Sequence, residues 1–153
     1  MATIQCDIVT QERTVFSGSV NTVSLPGSEG RMGILPNHSP LLTTLGFGEV
    51  IVRMDGVEQY FAIGGGFAEV QPEKVVVLAD SAEQADEIDI DRAESARMRA
   101  EKFMKEGVPE DPERYAQIRA SLQRAQIRID VARRRRRRSS LPSYAGTAED
   151  QNQ

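Results

Sequence analysis

The sequence predicts an α+β chain, all-β in its first half and helical in its second, and three observations carry that prediction. Runs rich in Val, Ile, Thr, Phe and Tyr recur between closely spaced glycines up to about residue 80. Beyond residue 85 the apolar residues recur instead at steps of three and four. The charge divides at the same place: residues 1–85 hold 4 Lys+Arg and 10 Asp+Glu, residues 86–153 hold 15 and 13.

Taken in order, TIQCDIV, NTVSLP, MGILP, LLTTL, GEVIVRM, VEQYFAIG, FAEVQ and KVVVLAD each have strand length and composition, and Glu49–Met54 alternates. Short strands at this spacing imply an antiparallel sandwich or barrel. Asp55-Gly56 suits a two-residue hairpin turn, whose central positions both need positive φ. Residues 88–106 then place Ile90, Ala93, Ala96, Ala100 and Phe103 on one helical face, with acids first and lysines last as the helix dipole prefers. Asp91 with Glu94, or Asp86 with Asp89, could cap the start. Gly107-Val108-Pro109 ends this helix. From Asp111 onward Tyr115, Ile118, Leu122, Ala125, Ile129 and Ala132 form a heptad-like stripe. The short connection makes an antiparallel hairpin the economical arrangement. The expected organisation is residues 1–84 as the β unit, 85–138 as the hairpin, and 139–153 as a disordered polar tail. A hairpin this small buries too little apolar surface to stand firmly alone, so it is expected to dock conditionally.

Composition excludes several classes of function. One cysteine, Cys6, allows no internal disulfide framework, and one histidine, His38, allows no histidine-rich metal site. The first residues have no signal-peptide pattern, and no run reaches ~18 uninterrupted apolar residues, so a reducing compartment and no membrane span are expected. Gly64-Gly65-Gly66 and the 27–30 segment lack the spacing of a phosphate loop and are expected to be turns or bulges. His38, flanked by Pro36 and Pro40, fits a rigid loop better than a catalytic triad.

Two basic constellations remain. Arg133–Arg138 is six arginines in succession, in accord with an acidic protein surface or simply a solvated helix end. Nucleic acid fits poorly, because the rest of the chain is acidic and no aromatic residue interleaves with the run. Arg124 and Arg128 are four apart and share a helical face, and an antiparallel neighbour could add Arg92 from Ile88-Asp89-Ile90-Asp91-Arg92-Ala93. Three convergent guanidiniums call for an anion, and a polyphosphate fits. Spacing alone favours the alternative of local pairs, such as Arg92 with Asp89.

Phe16-Ser17-Gly18, GSEGRMGILPNHSPLLTTLGFGEV at 27–50, FAIGGGFAEVQPEKVVVLADSAE at 61–83, and the IDxxRA and RAxxR elements resemble, in collinear order, the ε subunits of bacterial F-type ATP synthases. The resemblance implies an N-terminal ten-stranded antiparallel β-sandwich followed by a C-terminal antiparallel two-helix hairpin. It also implies a non-catalytic subunit, peripheral at the cytoplasmic face of the plasma membrane, with the γ subunit, the c ring and the α/β catalytic subunits as partners. In such subunits the hairpin switches between a compact form and an extended form that restrains ATP hydrolysis; a passive hairpin on a structural coupler is the alternative. Carried over by motif, Glu83, Ile88, Asp89 and Ala93 would lie near the base of a regulatory ATP, with Arg92, Arg124 and Arg128 near its phosphates. Glu29, Arg31 and His38 would face the rotor partners, and Arg133, Arg134, Arg135 and Arg136 an acidic surface of the catalytic ring. Arg31 stands where relatives commonly carry an acid, the 107–114 link is slightly long, and the arginine run extends the usual pattern.

Overall fold

The computed structural model describes residues 2–107 and 110–140. Eight strands, β1 (Ile4–Val9), β2 (Thr14–Val20), β3 (Thr22–Gly27), β4 (Gly30–Ile34), β5 (Leu41–Met54), β6 (Val57–Val70), β7 (Lys74–Ala79) and β8 (Ala82–Gln84), precede a single 3-10 turn at Ala85–Glu87. Two helices follow, α1 (Ile90–Lys105) and α2 (Pro112–Ser140). The expected sandwich and hairpin are both present. The strand number differs from ten among the described residues, because β5 and β6 are each 14 residues long and each serves both layers.

The ladder runs β2-β1-β7-β6-β5-β3-β4, with β8 on β6. Every pairing is antiparallel except β1 with β7, which run parallel from Gln5↔Lys74 to Val9↔Leu78. The fold into layers occurs where β6 changes neighbours: residues 61–63 pair with β8, residues 66–70 with β7. Gly66 makes that corner, at φ 123° and with its Cα so close to β7 that a Cβ would stand 2.1 Å from the Leu78 carbonyl oxygen. Only glycine satisfies both conditions. The glycine triplet is therefore a strand corner, as expected of turns or bulges. At the other end of β6, Asp55 and Gly56 have φ of 51° and 78°, as the predicted hairpin turn requires.

Two separate apolar clusters hold the chain together. The larger lies between the layers and gathers Ile4, Ile8, Leu25, Ile34, Val50, Phe61, Ile63 and Val70, with the Phe16 and Phe61 rings 5.5 Å apart. The smaller lies outside the sandwich, where Tyr60, Ala62, Ala85 and Ile88 meet Val131 and Ala132 of α2. Tyr60-Phe61-Ala62-Ile63 is consequently buried without interruption: Phe61 and Ile63 face the sandwich interior, Tyr60 and Ala62 face the helix. A strand covered on both faces loses its alternation.

α1 begins at Ile90 with Asp89 as its cap, the carboxylate accepting from the Arg92 backbone N–H at 3.1 Å. Neither expected capping pair is used in its expected roles, since the cap, Asp89, lies three residues after Asp86 and two before Asp91. α2 is longer than the predicted hairpin: it continues through Ser139 and Ser140, which the expected tail had included. The remainder of that tail, 141–153, and positions 108 and 109 of the link lie outside the described residues.

Candidate functional site

The hairpin lies across the outer face of β5 and β6, and it is α2 that makes the contact. Glu49 of β5 pairs with Ala62, and Ile51 with Tyr60, which puts all four on that covered face. Val131 is fully buried against them and Ala132 is 4% exposed. Along the upper part of α2, Ala125 and Ile129 are buried, as the stripe predicts.

A cavity of about 380 Å³ opens where the Thr10–Arg13 turn, the Asp80–Glu83 segment and α2 converge. Arg124, Ile127 and Arg128 form its helical wall. The Arg128 guanidinium grips Glu83, Nε donating to Oε2 at 2.7 Å and Nη2 to Oε1 at 3.4 Å. A second cavity, about 430 Å³, lies between the helices and is lined by Arg99, Phe103, Ile118, Ser121, Arg124 and Arg128. Arg124 and Arg128 are common to both. Arg99 and Arg124 pair with no carboxylate among the described residues.

Of the seven residues carried over by motif, Glu83, Arg124 and Arg128 therefore meet around one space. Ile88 is packed into the docking cluster, and Ala93 is buried on the inner face of α1. Asp89 holds the helix cap. Arg92 is exposed and lines neither cavity. The donor set fits a polyanion: two arginines without a protein acid, a third held by one, and volumes in the range of small-ligand pockets. The sequence reading missed Arg13 and Arg99. Arg13 is brought in by a turn with no motif, while Arg99 follows from the antiparallel register once Ala96, Ala100 and Phe103 face Ile118 and Ala125.

Glu29 and His38 lie elsewhere, at the β3–β4 turn and in the β4–β5 loop. Glu29 is exposed, and the His38 Nδ1–H donates to the Ser39 carbonyl at 2.7 Å. Arg31 reaches inward across the sheet, donating to Ser24 Oγ at 2.7 Å and to the Glu49 carbonyl at 2.9 Å. Burial holds its guanidinium below the ordinary value, opposed by the Glu49 charge and assisted by Arg134 and Arg138.

The arginine run is neither free nor simply solvated. Arg133 pairs with Glu94 of α1, and Arg135 pairs with Asp86 at 3.3 Å. Arg134 and Arg138, one turn apart, both reach Glu49, at 3.7 and 3.4 Å. Arg138 also lies over the Tyr60 ring, 4.3 Å from its centre. Arg136 and Arg137 are exposed and pair with no acid among the described residues.

No helix among the described residues is long and apolar enough to cross a membrane. Residues 3–85 match the family described as ATP synthase, delta/epsilon chain, beta-sandwich domain, and residues 86–133 match its long alpha-helix domain. The ATP synthase epsilon chain of Herpetosiphon aurantiacus is 50% identical over 135 residues, covering 88% of this chain and 98% of the relative. That of Dehalococcoides mccartyi is 50% identical over 143 residues, covering 90% and 97%. Among solved structures, a chain of the Euglena gracilis mitochondrial ATP synthase assembly of OSCP, F1 and c ring shares the fold at a TM-score of 0.69 and 23% identity, covering 82% of this chain and 79% of that one. A chain of the Tetrahymena thermophila mitochondrial ATP synthase central stalk and c ring gives 0.60 at 11% identity, covering 84% and 96%. With both of its halves matched in order and at this identity, the chain belongs to the ATP synthase delta/epsilon family as an epsilon chain, a non-catalytic subunit of that membrane-associated complex.

Proposed function

We propose that this chain sits in the central stalk at the cytoplasmic face of the membrane, its sandwich joining the γ subunit to the c ring and its hairpin acting as an extendable brake on ATP hydrolysis by the α/β ring. The observation that carries the brake is the separation of the two apolar clusters. The hairpin docks through Tyr60, Ala62, Ala85, Ile88, Val131 and Ala132, none of which belongs to the sandwich core, so it can leave without opening that core. Glu29 and His38, remote from the hairpin, remain for rotor contacts.

ATP is the regulatory ligand in this reading, held by Arg124 and Arg128 with Arg99 alongside. Because the first cavity is walled by α2 on one side and by the sandwich on the other, only the docked form presents it whole, with Arg124 and Arg128 set against the Thr10–Arg13 turn. A ligand restricted to that form stabilises it by about 2.7 kcal/mol at a hundredfold excess over Kd, a shift of about a hundredfold in the docking equilibrium. Falling ATP then releases the brake.

The test is ATP hydrolysis at low ATP by the matching α/β/γ core with the full chain and with a version ending at Ala85. Suppression by the full chain alone is the expected result. Equal rates, with both forms bound to the core, would make the hairpin passive and leave only rotor coupling.

A further inference from the structure

Glu49 is the only buried charged side chain among the described residues, at 4% exposure, and the group that buries it is the end of α2. Its two carboxylate oxygens face different arginines: Oε1 faces Arg138 Nη1 at 3.4 Å, and Oε2 faces Arg134 Nε at 3.7 Å. Arg31 donates to the Glu49 backbone carbonyl at 2.9 Å, which brings a third guanidinium within electrostatic reach of the two that face the carboxylate. The sheet register fixes Glu49 on the outer face, and helical spacing puts Arg134 and Arg138 on one side of α2.

We infer that this arrangement is an intramolecular mask. Glu49 closes on Arg134 and Arg138 when the hairpin is docked, and the same arginines become available to an acidic protein surface only when it is released. The proposal deepens the brake reading, because it makes docking and capture of an acidic partner mutually exclusive, keyed to one carboxylate.

Three features set the mask apart from an ordinary surface pair. Glu49 Oε2 and Arg134 Nε are both buried, yet neither makes a hydrogen bond, so their contact is ionic and not locked by geometry. Removing the anion leaves Arg134 and Arg138 without the acid that neutralises them and with the like charge of Arg31 nearby. Removing the two helical cations leaves Glu49 buried with Arg31 alone, and an uncompensated buried charge opens toward water. The flanking pairs, Arg133 with Glu94 and Arg135 with Asp86, bind the neighbouring arginines to the same chain. The docked form thus holds Arg134, Arg135 and Arg138 against groups outside the two helices, and release frees those three together, while Arg133 keeps its partner within the hairpin.

The experiment uses the isolated full-length chain, which separates its outcome from that of the ATPase assay. Distances are measured by spin labels on Glu73→Cys and Gln123→Cys, both exposed positions, on sandwich and α2 respectively. The native Cys6 is buried and takes no label. Binding of a fluorescent poly-glutamate peptide is measured on the same samples. Glu49→Gln is expected to add a long-distance population and to raise peptide affinity at least tenfold, while Arg134→Gln with Arg138→Gln lengthens the distance equally but loses the peptide. Combining all three changes should open the hairpin no further than the arginine pair does. Raising the salt should lengthen the wild-type distance more than that of the triple variant, which keeps the Arg128–Glu83 and Arg135–Asp86 pairs across the same seam. If Glu49→Gln itself unfolds the sandwich, the helical pair alone decides, since its residues lie outside that core. An unchanged distance in the helical pair, or effects of Glu49 and the arginines that simply add, would overturn the mask.

Discussion

Val131→Ala should open the hairpin while leaving the sandwich intact. Val131 is fully buried in the cluster shared with Tyr60, Ala62, Ala85 and Ile88. Shortening it to Ala removes two methyl groups from apolar surroundings, at about 0.8 kcal/mol each. The void left behind brings the total to about 2 kcal/mol, since the covering elements close over it only in part. If the hairpin docks as its own cooperative unit, the whole loss falls on docking, whose equilibrium moves about 30-fold toward the open form. Val50→Ala provides the comparison: the same two methyl groups are deleted from an equally buried site inside the sandwich.

Native-state hydrogen exchange separates the two cases. Val131→Ala should speed exchange of α2 amides between Ala125 and Arg135 about 30-fold without touching the central amides of β1, β6 and β7. Val50→Ala should lower the protection of those strands and the sandwich melting temperature. Equal loss of protection in strands and helices from either substitution would refute the reasoning, because sandwich and hairpin would then be one cooperative unit and the proposed release would have no independent equilibrium.

Arg124→Gln should weaken ATP binding at least tenfold by titration calorimetry with the fold unchanged; undiminished affinity would remove Arg124 from the site. Gly66→Ala should cost at least about 2 kcal/mol of sandwich stability by urea titration, since positive φ and the Leu78 carbonyl both oppose a Cβ, whereas Gly33→Ala, with open space around it, should cost far less. Burial, with Asp7 adding to it, pushes the Cys6 thiol from 9.0 up to about 12. The unfolded chain therefore loses this proton first, so stability is whole below pH 9 and declines as pH rises toward 12, a decline that Cys6→Ala should abolish in alkaline melting curves. Asp7 has the opposite sign: hydrogen bonds from Ser17 and Gln5, with Lys74 nearby, hold its carboxyl below its ordinary value. Its contribution is present above that value and disappears as pH falls through the folded one, and Asp7→Asn should flatten that acid limb of the stability curve.

The strands and both helices were legible because each is a local matter of periodicity. Where the reading failed, two elements met. Tyr60-Phe61-Ala62-Ile63 breaks alternation, and in retrospect a continuous apolar run on a strand whose neighbour alternates is the mark of a second covering layer. The strand number went astray for a similar reason. Nothing local distinguishes two strands from one 14-residue strand that turns a corner, and only the change of partner at Gly66 reveals it. Arg124 and Arg128 could be paired from spacing, but Arg92 required the rotation of α1 about its axis, and the cap at Asp89 turned that arginine outward. Arg13 reaches the cavity through a turn that carries no motif at all.

The arginine run was the least legible feature, because its partners are dispersed as Glu49, Asp86 and Glu94. Yet the charge division between the halves already contained the answer in outline: an acidic β half of net −6 is followed by a helix ending in six cations. Each ion pair at the half-exposed helix end contributes at most about 1 kcal/mol and weakens with salt. The buried methyl groups of Val131 and Ala132 therefore supply most of the docking, while the contact of Arg134 and Arg138 with the buried Glu49 adds to it and decides where along β5 and β6 the helix comes to rest. A change in apolar area would alter how often the hairpin opens. A change at Arg134 and Arg138 would in addition alter what the opened helix is able to meet, so the two kinds of variant should part company in any assay that reads partner binding as well as opening.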